Sequence, residues 1–242
     1  HGIKIIYGVE GYYINDVDDK LAIIGETQGE LSDEYCAFDI ETTGLNSNSE
    51  RMTEIGAVIM KDGEVVSRFQ TFVNPKKPIP REITELTGIT DRDVFDAPEE
   101  AEALKSFMKF AGERTLIAHN AEFDIGFMKA AARRTGIAFE PTYIDTLTLA
   151  QSLLPDLKRF KLDIVSGRLG LPDFNHHRAD DDALACGRIM AKFVKMLGDR
   201  GVTKLAELEG YTRTERGTHG RISRTRHIII LVKNKKGLKN LY

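Results

Sequence analysis

Tyr35-Cys36-Ala37-Phe38-Asp39-Ile40-Glu41-Thr42-Thr43-Gly44-Leu45 reads as a strand that runs into a turn. The strand covers Tyr35–Ile40, and Thr42-Thr43-Gly44 bounds it. Asp39 and Glu41 stand one residue apart. The period of two along a strand puts both carboxylates on one face and Phe38 and Ile40 on the other. Two carboxylates forced side by side repel each other unless a cation joins them. Taken alone, the pair would also suit a solvent-facing strand end.

Outward from this strand the pattern alternates. Glu54–Met60 and Val65–Val73 are strand-like, and Lys61-Asp62-Gly63 between them is a hairpin signal. The first three strands therefore predict an antiparallel meander. Pro98 opens a helix to about Ala111, with Ala101, Leu104, Phe107, Met108 and Ala111 on one face. Thr115–Ala118 is a short buried strand. Helices are expected over Ala121–Arg134, Thr146–Leu153, Leu162–Leu169 and about Asp180–Leu197. The last carries Cys186, Ile189, Met190, Phe193 and Leu197 at helical spacing. Strands followed by strand–helix alternation indicate an α/β fold, a mixed sheet flanked by helices.

Two more segments carry acidic residues at helix starts. In His119-Asn120-Ala121-Glu122-Phe123-Asp124, Asn120 is placed to cap the helix and Asp124 falls in its first turns. There the helix dipole favours negative charge, which is a structural reason for Asp124 by itself. In His177-Arg178-Ala179-Asp180-Asp181-Asp182, one aspartate is expected to reach a site. Asp182 is that one, with Asp180 and Asp181 as caps or solvated charges. His176 is the less favoured neighbour of His177.

Together the strings Phe38–Leu45, His119–Asp124 and His177-x4-Asp182 resemble, in order and spacing, the three motifs of the DEDDh exonucleases. That family includes the proofreading subunits and domains of bacterial DNA polymerase III. The resemblance implies a ribonuclease H-like fold. It implies that Asp39, Glu41, Asp124 and Asp182 hold two divalent metal ions and that His177 is the general base. Thr42, Thr43, Gly44 and Leu45 would hold the terminal nucleotide, and His119, Asn120 and Phe123 would shape its pocket. Oxygen ligands without clustered thiols favour Mg²⁺ or Mn²⁺. A single-stranded DNA 3′ end is the expected substrate, with its bases stacked on apolar side chains. The motifs also allow a DEDDh exonuclease of short RNA, since nothing in them reads a 2′-hydroxyl, although the flanks argue against it. A non-catalytic polymerase-scaffold module is the other alternative.

The flanks carry a second resemblance. His1–Glu10, with the strand-like run Ile3–Tyr7, and His227–Val232, with Gly237–Leu241, resemble successive parts of a polymerase-and-histidinol-phosphatase (PHP) domain. An exonuclease between two such pieces is the arrangement of PolC-type DNA polymerase III alpha subunits. The expected organisation is a PHP piece over residues 1–34, the exonuclease over 35–197, a Gly-, Thr- and Arg-rich linker over 198–226, and a second PHP piece over 227–242. In that family the positions of Glu10 and His227 belong to a PHP metal site. The rest of the polymerase chain and the replisome are the implied partners.

Composition bounds these readings. The 242 residues are 41% hydrophobic and 29% charged, a soluble globular balance. No apolar run has the length of a membrane span, and no signal-peptide pattern is present, so no membrane is expected. Beginning at His1 rather than Met, the chain reads as an excerpt of a longer protein. Cys36 and Cys186 both sit in apolar patterns, as reduced core thiols do, which fits a cytoplasmic protein. The net charge of −3 does not advertise nucleic-acid binding, although bound cations would invert the field around an acidic site.

Overall fold

The strand around Asp39 lies inside a six-stranded sheet in a computed structural model of the chain, which describes residues 8–13, 21–174, 178–218 and 226–231. Strand β1 (Gly8–Tyr13) comes first, then β2 (Ile23–Ile24), β3 (Tyr35–Thr42), β4 (Met52–Lys61) and β5 (Glu64–Phe72). Two short helices, α1 (Arg81–Thr87) and α2 (Asp91–Val94), precede α3 (Glu100–Ala111). Next come β6 (Thr115–Ala118), α4 (Ala121–Thr135), β7 (Tyr143–Asp145), α5 (Thr146–Leu153) and α6 (Leu162–Arg168). The long α7 (Ala179–Gly198) leads through a 3₁₀ turn at Leu205–Glu207 to α8 (Leu208–Thr218), and β8 (Arg226–Leu231) follows.

The six-stranded sheet has the order β2-β7-β6-β3-β4-β5. β3, β4 and β5 form the expected antiparallel meander, while β6 and β7 run parallel to β3. The β4–β5 hairpin turns on Asp62 and Gly63, both at positive φ (51° and 82°), as a tight Asp-Gly turn requires.

Alternation along β3 divides the core in two. Cys36, Phe38 and Ile40 join one cluster with Leu104 and Phe107 of α3 and Phe127 and Met128 of α4. Tyr35 and Ala37 join the other, with Leu149 of α5, Val165 of α6 and Ile189 and Phe193 of α7. Each large side chain fully buried here contributes about 1.5–3 kcal/mol. α7 lies close on the sheet because Gly187 leaves room: a Cβ there would meet Val58, Met60 and Ala37. The Tyr35 hydroxyl donates to the Gly187 carbonyl at 2.9 Å.

Several expectations need correction. The sheet-bearing compact unit runs Leu21–Arg216, beyond 35–197 at both ends. β2 pairs with β7, and Leu31 is buried in the α7-side core. The segment expected as linker contains α8, because Val202, Leu205, Leu208 and Tyr211 repeat at threefold spacing and pack on that same core. The α3 stripe includes buried Ala103, with Ala101 only half-buried. Asn120 does not cap α4 with its side chain and instead takes a left-handed conformation.

The second compact unit joins His1–Lys20 to Gly217–Tyr242. Its described part is an antiparallel pair, β1 with β8, in which Glu10 faces Ile229 and Tyr12 faces His227. The strand expected at Ile3–Tyr7 and the turn expected at Lys233–Gly237 lie outside the described residues.

Candidate active site

Asp39 and Glu41 continue the row of Tyr35 and Ala37, so they face α7, as the period of two requires. Asp182 lies in the first turn of α7 and is buried. One carboxylate oxygen from each of Asp39, Glu41 and Asp182 lies within 4.8 Å of the others. Asp180 and Asp181 are half-buried and stay outside this group. The helix comes this near because Gly56, the register partner of Asp39, has no side chain. A Cβ on Gly56 would collide with the Ala179 backbone.

Asp124 is buried in the first turn of α4, a helix that packs on the opposite face of the sheet. It is not one of the three converging carboxylates. Its charge nevertheless acts on Asp39. Burial first, then Asp124, Asp182, Glu41 and Glu54, push the Asp39 carboxyl well above the usual carboxylate range. Burial, followed by Asp182 and Glu54, pushes Glu41 up to about 8, against the pull of Arg178. Burial also raises Asp124, while backbone amides of Asp124 itself and Ile40 pull it down. Such mutual repulsion is relieved by a hard cation, and the all-oxygen donor set suits Mg²⁺ or Mn²⁺.

The turn after β3 is tied internally. Thr42 donates its hydroxyl to the Gly44 carbonyl at 2.7 Å, and Thr43 donates to Glu50 at 2.5 Å. Glu50 also accepts from Lys77 at 2.7 Å. Both threonines are buried, whereas Leu45 is 86% exposed. What this turn offers a ligand is thus backbone and the Leu45 side chain.

Both ring nitrogens of His119 are engaged. Nε2 donates to the Phe160 carbonyl at 2.7 Å, and Nδ1 lies 2.9 Å from the Thr146 hydroxyl. Burial lowers its pKa, against the opposing pull of the Phe160 carbonyl. Phe123 is half-buried and packs on Phe127 at 5.0 Å between ring centroids. His176 and His177 lie outside the described residues.

Two buried carboxylates escaped the sequence reading. Asp145 accepts the backbone N–H of Asn120 at 2.8 Å, of Ala121 at 3.3 Å and of Leu147 at 3.1 Å, and the Thr148 hydroxyl at 2.7 Å. It therefore caps both α4 and α5, the work expected of Asn120. An Asp immediately before a helix start was the available signal. Glu54 of β4 is fully buried opposite Glu41. It was visible as the single charge in Met52–Met60.

A model of the RNase_T family, described as an exonuclease, matches residues 36–190. The chain belongs to the RNase_T exonuclease family. This exonuclease is 42% identical over 243 residues to the PolC-type DNA polymerase III of Caldanaerobacter subterraneus subsp. tengcongensis, a match covering 100% of this chain and 17% of that protein. It is 45% identical to the PolC-type DNA polymerase III of Clostridium perfringens, covering 100% of this chain and 16% of that one. The chain thus spans only a small part of the curated relatives it matches. Among solved structures, exonuclease X in complex with 5′ overhanging duplex DNA has a similar fold, with a TM-score of 0.58 at 24% identity over 74% of this chain and 99% of that one. No helix among the described residues is long and apolar enough to cross a membrane.

Proposed function

We propose that this exonuclease removes nucleotides from DNA 3′ ends by hydrolysing terminal phosphodiesters, as the proofreading unit of a PolC-type replicative polymerase in the cytoplasm. The observation that carries the reading is the convergence of Asp39, Glu41 and Asp182 within 4.8 Å on an exonuclease-family sheet. Asp124 lies near enough to bear on Asp39. These four carboxylates would hold two divalent cations, Mg²⁺ or Mn²⁺. Bound there, the cations would supply an activated water and charge neutralisation for the attacking and leaving oxygens.

The chain's own groups do the rest. His177 accepts the proton of the attacking water, since an imidazole takes up and releases a proton near neutral pH. Backbone groups of Thr42, Thr43 and Gly44 grip the terminal nucleotide, and Leu45 stacks on its base. Asn120 and Phe123 wall the pocket. His119 acts on its shape, because both of its ring nitrogens are already engaged.

The identity to PolC-type polymerases along the whole chain supports DNA over RNA and a place in the replisome. The pairing of β1 with β8 supports the reading of the flanks as two pieces of one PHP domain. A nuclease inserted between two paired strands leaves the host sheet continuous. Glu10 and His227 stand two register positions apart in that ladder, which supports a shared place in one PHP metal site. Metal analysis of the whole polymerase tests this part, and finding no metal beyond the exonuclease pair would refute it.

The main test compares DNA and RNA oligomers of one sequence, and paired and mispaired DNA 3′ termini, with Mg²⁺ present. Faster release from mispaired DNA is expected. Preferential RNA degradation would favour the exoribonuclease reading, and no cleavage would favour a scaffold module.

A further inference from the structure

Glu54 makes four hydrogen bonds while buried beside the carboxylate cluster. Arg178 donates through Nη2 at 3.1 Å and through Nε at 3.4 Å. Gln70 of β5 donates at 2.6 Å, and the Ala179 backbone N–H donates at 3.2 Å. The guanidinium of Arg178 also lies over the Phe72 ring, 5.9 Å from its centroid. Arg178, the N-cap residue of α7, makes no side-chain capping bond of its own. The carboxylate that caps α7 therefore comes from β4. Two residues along the same strand, Gly56 admits the Ala179 backbone. The first turn of α7 is thus seated on β4 at two adjacent points, one polar and one steric.

We infer that Glu54 is a positioning residue: by gripping Arg178 and the Ala179 N–H, it fixes the start of α7 so that Asp182 meets Asp39 and Glu41. The inference deepens the reading above and rests on it where activity is concerned. Glu54 does not itself hold a cation. Its oxygens are taken by four donors, and it is absent from the converging group. Burying this ion pair is costly, and a well-packed apolar pair would serve stability as well. Its retention next to the cluster is accounted for by orientation. Groups that orient metal-binding side chains typically change metal affinity or activity by about 10–100-fold when altered.

The test uses Glu54→Gln in the full chain. The amide keeps the shape and can still accept from Ala179, but it loses the charge that holds Arg178. Mn²⁺ binding is followed by calorimetry, and kcat and KM are measured on a single-stranded oligodeoxynucleotide at saturating Mn²⁺. We expect Mn²⁺ affinity to fall about 10–100-fold, and kcat to fall with KM nearly unchanged. Arg178→Lys keeps the charge and loses the planar fork, so it gives a smaller change in the same direction. It decides the matter if Glu54→Gln does not fold. A folded Glu54→Gln protein with natural Mn²⁺ affinity and kcat overturns the inference, and so does a rise in KM alone. If the natural protein binds Mn²⁺ but cleaves nothing, the nuclease reading fails. The Mn²⁺ titration then still decides the role of Glu54.

Discussion

Two sets of carboxylates sit side by side in this fold, and their surroundings are opposite. Glu54 and Asp145 are buried and hydrogen-bonded: Glu54 receives Arg178, Gln70 and the α7 backbone, and Asp145 receives three backbone N–H groups and Thr148. Asp39, Glu41 and Asp182 face one another, and the charges acting on Asp39 are all negative. Burial alone therefore does not mark a metal ligand. The marker is the convergence itself: acids brought within 4.8 Å of one another repel, which costs stability until a cation arrives. The satisfied carboxylates build the frame that forces this convergence.

The largest effect expected from breaking this contrast is at Asp39. Asp39→Ala abolishes hydrolysis and leaves the domain folded. Undiminished turnover in the purified variant would remove the metal assignment. His177→Ala lowers kcat by about 10²–10⁴-fold, the range for a general base, with Mn²⁺ binding retained. An unchanged pH–rate profile would count against that role.

Asp145→Ala tests the opposite side of the comparison. It leaves buried N–H groups at the starts of two helices without an acceptor, at a cost of about 1–3 kcal/mol for each group left unpaired. Thermal denaturation should show a clear loss of stability. Mn²⁺ affinity measured well below the new Tm should change far less than in Asp39→Ala. The reverse pattern would mean that Asp145 belongs with the cluster.

A smaller effect follows from pH. Glu41 has its carboxyl raised from an ordinary 4.5 to about 8, and Asp39 moves the same way. Between those values the folded state binds more protons than the unfolded one, so metal-free stability falls as pH rises through this window. A divalent cation replaces the protons and removes this slope. Denaturation midpoints from pH 5 to pH 8, with chelator and with Mn²⁺, should diverge as pH rises. Parallel curves would contradict the shifts at Glu41 and Asp39.

How much of this was legible in sequence follows from the range of each interaction. The strand around Asp39, the Asp62-Gly63 hairpin and the long α7 announce themselves by period and turn chemistry, which are local. The three converging acids were legible through motif order and spacing. Glu54 stood out only as a lone charge in an apolar strand, and its role was not legible, because its partners Arg178 and Ala179 lie 124 and 125 residues away. β7 is three residues long and β2 two, too short to show any period. Asn120 looks like a cap from its neighbours. Its role passes to Asp145, 25 residues downstream, which takes its backbone N–H. α8 was masked by its Gly, Thr and Arg content, although Leu205, Leu208 and Tyr211 keep a helical stripe.

Anomalous diffraction from crystals grown with Mn²⁺ is the most direct measurement. A peak among Asp39, Glu41 and Asp182, with none at Glu54 or Asp145, is the predicted result. A cluster that stays dark at saturating Mn²⁺, or a peak on Glu54 instead, would contradict the division between converging and satisfied carboxylates.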